Sequence, residues 1–184
     1  IYFKMFRGND VSVDSTLLQI LLILFVLFSY SDYLTIMSTR RRAREIALQV
    51  LYQFDLNPSA ISVDYKPFLY ARLQEPASVI FSKALVEGVS THKQQIDNVL
   101  DQRSEHWRVN RMATTDRAVL RLAVFELACS DTPGPVVVDE GIELARRYGS
   151  AHSAPFVSGI LGRCLDDRET LQNDLQGNEH PADA

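Results

Sequence analysis

The chain has 184 residues with a formal net charge of −4, and its apolar share is that of an ordinary globular protein. That length suits one domain with some tail. Mild acidity excludes attraction of nucleic acid by the whole molecule, so an anionic partner must be met by a local patch. Cys129 and Cys164 lie far apart without CxxC or Cys/His ligand spacing, which excludes a zinc site and reads as two reduced core thiols.

Residues 1–36 stand apart. The run "LLQILLILFVLF", Leu17 to Phe28, is the most apolar in the chain, but it is about a dozen residues long and a membrane span needs about 20. Ser29, Ser31 and Asp32 interrupt its continuation. Lys4 and Arg7 mix with Asp10 and Asp14, and no small-x-small site follows, which is a poor signal peptide. The expected natural start is Met37, with residues 1–36 outside the fold; a membrane anchor is the competing reading.

From Met37 onward the pattern is helical. A first helix is expected from Ser38 or Thr39 to Leu56, where "NPS" breaks it. Ala43, Ile46, Ala47, Val50, Leu51 and Phe54 form its buried stripe. At about 100° per residue, Arg41, Glu45, Leu48 and Tyr52 fall on the opposite side, with Arg44 at the border. Arginines aligned with an exposed Leu and Tyr suit a contact surface, since Arg binds phosphates and Tyr stacks on unpaired bases. A solvated helix start, with Leu48 and Tyr52 covered by the same fold, fits the periodicity equally well.

A short helix interrupted at Pro67 is expected next, then one long helix opened by Pro76 and running to about Ser104, with Gly88 tolerated inside it. Thr114 or Thr115 is expected to cap a helix that is apolar on nearly every side and therefore central, with Asp116 in its first turn. "SDTPGP" is a loop. A helix closed by Gly149 and a last helix beginning near Pro155 follow. Beyond Leu171 the acidic end, residues 171–184, reads as a frayed, disordered tail.

No catalytic constellation stands out. His92, His106, His152 and His180 lack metal-ligand spacing, and no serine sits in a G-x-S-x-G elbow. Asp139–Glu140 and Asp166–Asp167 are neighbours that point to different helix faces, as surface charge does. The expectation is a non-enzyme without metal, cofactor or small-molecule substrate.

Four ordered segments carry a family resemblance: "RRRAREIALQVLYQFDL", "ALVEGVSTHKQQID", "WRVNRMATTDRAVLRLAVFEL", and "VVVDEGIELARRYGS" running into "PFVSGILG". Over roughly Thr39 to Leu165 the chain resembles the NusB transcription antitermination proteins. The resemblance implies an all-α fold of about seven helices in two packed subdomains, over residues 37–170. It implies binding of boxA-type single-stranded RNA of ribosomal transcripts together with NusE, a small-subunit ribosomal protein. It further implies assembly with other Nus factors on RNA polymerase, in the cytoplasm, to suppress termination and aid rRNA maturation.

By motif position, Arg40, Arg41, Arg42 and Arg44 would face RNA. Tyr52 would lie at the RNA and partner surface, and Asp116 would contact the NusE-like protein. Phe156, with its neighbours His152 and Ser158, would complete the RNA surface. The family often has an acidic residue at the place of His152 and Asn at that of Ser158, a change of hydrogen-bonding groups that bears on base preference. "DEG" replaces the usual "NEA", and Gly141 there costs helix stability. Two other readings remain: an accessory domain of an rRNA cytosine methyltransferase, and a membrane-anchored interaction protein.

Overall fold

Helix α1 covers residues 39–56, and the predicted stripe is its buried face: Ala43, Ile46, Ala47, Val50 and Leu51 are in the core and Phe54 packs against it. The computed structural model describes residues 39–57, 64–104 and 107–176. The apolar run Leu17–Phe28 and the chain end beyond Gln176 lie outside the described residues.

Helix α2 is Lys66–Arg72, and Pro67 stands in its first turn. The proline therefore starts this helix rather than interrupting it, because its missing N–H falls where no intrahelical partner exists. The long helix expected after Pro76 is two: α3, Pro76–Thr91, and α4, Lys93–Arg103. His92 makes the break. Its backbone N–H bonds the Gly88 carbonyl at 3.0 Å, and its ring Nδ1 lies 2.9 Å from the same oxygen. Ile96 then takes up the His92 carbonyl at 2.9 Å to begin α4.

After a 3₁₀ turn at Val109–Arg111 comes α5, Thr114–Cys129. It is buried on nearly every side and packs against α3, α4, α6, α7 and α8, as its all-round apolar pattern predicts. No threonine caps it: the residue at the N-cap is Ala113, with no side-chain bond. Helices α6, Gly134–Tyr148, and α7, Ser153–Asp166, pair with each other and with α5. Two glycines are packing devices. A Cβ on Gly88 would overlap the Phe125 ring, and one on Gly141 would stand 2.7 Å from Leu161 Cδ1. Each permits an approach that alanine would block.

The polar end is ordered further than composition suggests. Helix α8, Arg168–Gln176, buries Leu171 and Leu175, one turn apart, at 0% and 1% exposure on the side of α4 and α5. Arg168 donates to the carbonyls of Leu127, Ser130 and Thr132 at 2.9, 3.2 and 3.2 Å, closing the C-terminal end of α5. Residues 171–176 of the expected tail are therefore helical. The thiols also divide. Cys164 is buried, which pushes its pKa up to about 11, whereas Cys129 at the end of α5 is exposed rather than core.

A half-buried ionic chain ties three helices together. Arg117 and Arg121 of α5 both grip Asp55 of α1, and Arg121 also holds Asp97 of α4 through two bonds of 2.7 and 2.8 Å. Among the described residues there is no strand, no helix long and apolar enough to cross a membrane, and no acidic, histidine or cysteine group able to hold a metal. The all-α class stands.

Candidate nucleic-acid interface

The arginine run at the start of α1 is not one surface. Arg40, Arg41 and Arg42 are exposed, while Arg44 is 1% exposed and points inward. Its guanidinium makes a two-bond pair with Glu126 of α5 at 2.8 and 2.6 Å, and Nη1 lies 3.7 Å from Glu140 of α6. Glu126 is fully buried in the central helix, so it requires a buried counter-charge. Arg44 supplies it. The expectation that Arg44 faces RNA is therefore corrected: its donors are directed at the interior.

Three further expectations change for the same reason. Ion pairs Arg147–Glu45 and Arg41–Glu140 tie α6 to the side of α1 opposite the stripe, where Glu45 is 5% and Leu48 4% exposed. Leu48 is thus not an exposed contact residue. Glu140, read as surface charge, is buried and paired with Arg41 by bonds of 3.1, 3.2 and 2.8 Å.

What emerges is a cationic rim over a carboxylate layer. Arg42 bonds Glu45 at 2.9 Å, and Arg147 of α6 bonds the other oxygen of that carboxylate. Arg40 lies with its guanidinium 5.1 Å from the Phe81 ring centre and 3.4 Å from the Thr132 hydroxyl. Four guanidinium groups (Arg41, Arg42, Arg44, Arg147) thus meet three carboxylates (Glu45, Glu126, Glu140), and with Arg40 beside Thr132 and Phe81 the cluster carries a surplus of two positive charges. Hydrogen bonding and charge from Glu140 raise the pKa of Arg41, and the charge of Glu45 raises that of Arg147. The rim is permanently cationic and its side chains are held in place. Arg147 is the member that sequence reasoning missed; "ARRYG" carried the signal, but it read as the basic last turn of a helix.

Tyr52 is half-buried and lines an open, mostly apolar cavity of about 350 Å³ with Leu48, Gln49, Gln53, Phe68, Thr115 and Tyr148. Glu45, Leu48 and Tyr52 succeed one another along α1, and Arg147 and Tyr148 are adjacent on α6, so cavity and rim adjoin. Asp116, next to the cavity residue Thr115, is 7% exposed, and its Oδ1 is buried with no hydrogen-bond donor among the described residues. A buried carboxylate oxygen left unbonded is costly.

Phe156 lies elsewhere. It lines a cleft of about 260 Å³ with Ser104, Trp107, Pro155, Gly159, Ile160 and Arg163, none of them from α1. His152 is exposed at the start of α7, its N–H 3.3 Å from the Ser150 hydroxyl, and Ser158 is half-buried on the same helix. The predicted site residues therefore fall into a basic rim, an apolar cavity beside it, and an aromatic cleft on α7.

Comparison with known proteins identifies the family. Residues 41–166 match the profile of the NusB family. The transcription antitermination protein NusB of Anaeromyxobacter dehalogenans is 43% identical over 129 residues, covering 68% of this chain and 89% of the relative. That of Desulfitobacterium hafniense is 41% identical over 146 residues, covering 77% and 96%. The structure of T. maritima NusB superposes with a TM-score of 0.62 at 32% identity, over 70% of this chain and 91% of that one. A chain from the crystal structure of antitermination factors NusB and NusE in complex with dsRNA gives 0.63 at 26% identity, over 71% and 98%. With most of each relative's length accounted for and the family profile spanning α1 to α7, the chain belongs to the NusB family.

Proposed function

We propose that this chain is a transcription antitermination factor that binds boxA-type RNA of ribosomal transcripts together with a NusE-like ribosomal protein. In this reading it acts in the cytoplasm with other Nus factors on RNA polymerase, supporting processivity and rRNA maturation. Its mechanism is assembly, and no group of the chain has to perform chemistry. The observation that carries the reading is the cationic rim of Arg40, Arg41, Arg42 and Arg147 beside the Tyr52 cavity and the unbonded Asp116 oxygen. Rim arginines neutralise phosphates and release counterions. The cavity and Asp116 offer an apolar seat and a carboxylate to a basic protein, whose own charge would extend the positive surface.

The related crystal structure is of NusB and NusE in complex with dsRNA. Single strands are favoured here because the half-buried aromatic groups Tyr52 and Phe156 can be reached by splayed bases and not by stacked ones.

The test is a titration of the full chain against end-labelled boxA-like RNA, single-stranded and as a duplex, with and without the NusE-like protein, over a range of salt. Neutralising two to four phosphates predicts a log–log salt slope between about −1.4 and −2.8 for the chain alone on single strands, steeper with the partner. Asp116→Lys is expected to abolish partner enhancement while leaving the chain's own weak RNA binding. Equal affinity for duplex and single strand would overturn the single-strand reading. Partner binding unimpaired in Asp116→Lys would remove Asp116 from the contact.

A further inference from the structure

We infer that the cleft between α7 and the segment after α4 is a stacking subsite for one unpaired RNA base, with Trp107 and Phe156 as its platforms and Arg163 as its phosphate contact. The inference rests on the RNA-binding reading and adds residues to it. Trp107 is 55% exposed, an unusual place for the most costly aromatic side chain to leave in water. Its backbone is nonetheless held. The Ser104 hydroxyl donates to the Trp107 carbonyl at 2.5 Å, and Asp101 Oδ1 accepts the Val109 N–H at 2.8 Å, so the main chain that carries the indole is tied on both sides. Phe156 shares the cleft but is not stacked on the indole. The space of about 260 Å³ is several times the ~30 Å³ share of one water.

The floor of the cleft is a second, independent sign. Phe156, Gly159, Ile160 and Arg163 recur at the spacing of one helix face. Glycine is the poorest helix former after proline, and an interior glycine is normally explained by a neighbour that needs its space. A Cβ on Gly159 would meet nothing within 4 Å. Among the described residues nothing occupies that space, in contrast to Gly88 and Gly141, so the floor of the cleft is open to an occupant.

Charge decides the class of occupant. Arg163 is exposed, with Nη1 donating to the Arg103 carbonyl at 2.6 Å, and Arg108 and Arg111 project from the segment that carries Trp107. Arg108 is 72% exposed and only loosely paired with Asp101 at 3.8 Å. Two aromatic faces with an arginine beside them are the make-up of a sequence-tolerant single-strand site.

Trp107 is the sole tryptophan of the chain, so its emission reports this cleft alone. Single-stranded boxA-like RNA, end-labelled for anisotropy and added with the NusE-like protein present, is expected to quench that emission with the same midpoint as the anisotropy change. Trp107→Ala should weaken binding about fivefold to a hundredfold, and Trp107→Phe should restore most of it. Gly159→Ala is the variant that keeps the test independent of folding damage: it should raise the melting temperature and still weaken RNA binding. Silent tryptophan emission during binding that Arg41 and Arg42 variants abolish would overturn the subsite and leave the rim standing. So would a more stable Gly159→Ala protein of unchanged affinity. Emission that responds to the NusE-like protein and not to RNA would give the cleft to that protein, and no RNA binding at all would overturn both readings.

Discussion

Arg42 and Arg44 are two positions apart on one helix and have opposite fates. Arg42 sits at the surface, half-exposed, holding the Glu45 carboxylate at 2.9 Å; Arg44 is buried and answers the fully buried Glu126 at 2.6 Å. Two residues turn a helix by about 200°, so a run of arginines must divide between water and core. A dense basic cluster in a sequence thus overstates the positive surface that the fold presents. Here part of the run neutralises the interior, and α6 makes good the loss by supplying Arg147.

The difference can be broken in three ways. Arg44→Ala strands the Glu126 charge and is expected to cost about 3–5 kcal/mol, read from urea unfolding. The double change Arg44→Met with Glu126→Leu should recover most of that stability. A single variant within 1 kcal/mol of the native chain would show that Arg44 belongs with the rim.

Arg41→Ala combined with Arg42→Ala is the surface counterpart. Arg41 and Arg42 are half-exposed while their partners Glu140 and Glu45 are buried, but each carboxylate keeps a second arginine, Arg44 and Arg147, so the loss in unfolding should stay well below that of Arg44→Ala, while RNA affinity falls and the salt slope on single strands becomes shallower by about 1.4. Loss of stability without loss of RNA affinity would invert the assignment of rim and core.

The smallest effect sharpens the boundary between the two classes. Burial alone would push the Asp55 carboxyl upward, but hydrogen bonds from Arg117 and Arg121 outweigh it and hold the pKa below the ordinary carboxylate range. A depressed native pKa gives stability that is complete above the unfolded value of about 3.9 and lost as pH falls through the native one. The native chain should therefore lose stability below about pH 4 more steeply than Asp55→Asn, as followed by helical signal in urea at successive pH values. Parallel curves would assign the acid sensitivity to other carboxylates.

The fold was largely legible. The buried stripe of α1 and the all-round burial of α5 follow from apolar spacing alone, because period reports what is covered. The errors share one cause: period says how many sides are covered and not by what. Leu48 and Glu45 looked outward until α6 was tied to their side of α1. The break at His92 depends on a ring-to-carbonyl contact, and the ordering of Leu171 and Leu175 depends on a surface made by α4 and α5 that nothing local announces. At the candidate site, Arg40, Arg41, Arg42 and Tyr52 could be found from helix geometry and the family resemblance. Arg147 could not, since its meaning comes from Glu45, 102 residues away.

The fit of Phe125 into Gly88 restricts how this protein can change over generations. Enlarging residue 88 is damaging while the ring remains, and trimming the ring opens a void while the glycine remains. An acceptable alternative, such as alanine at 88 with leucine at 125, lies two substitutions away with a less fit sequence on either route. The pair is expected to vary together across descendants of this gene or not at all, and that covariation would place α3 against α5 without any coordinates.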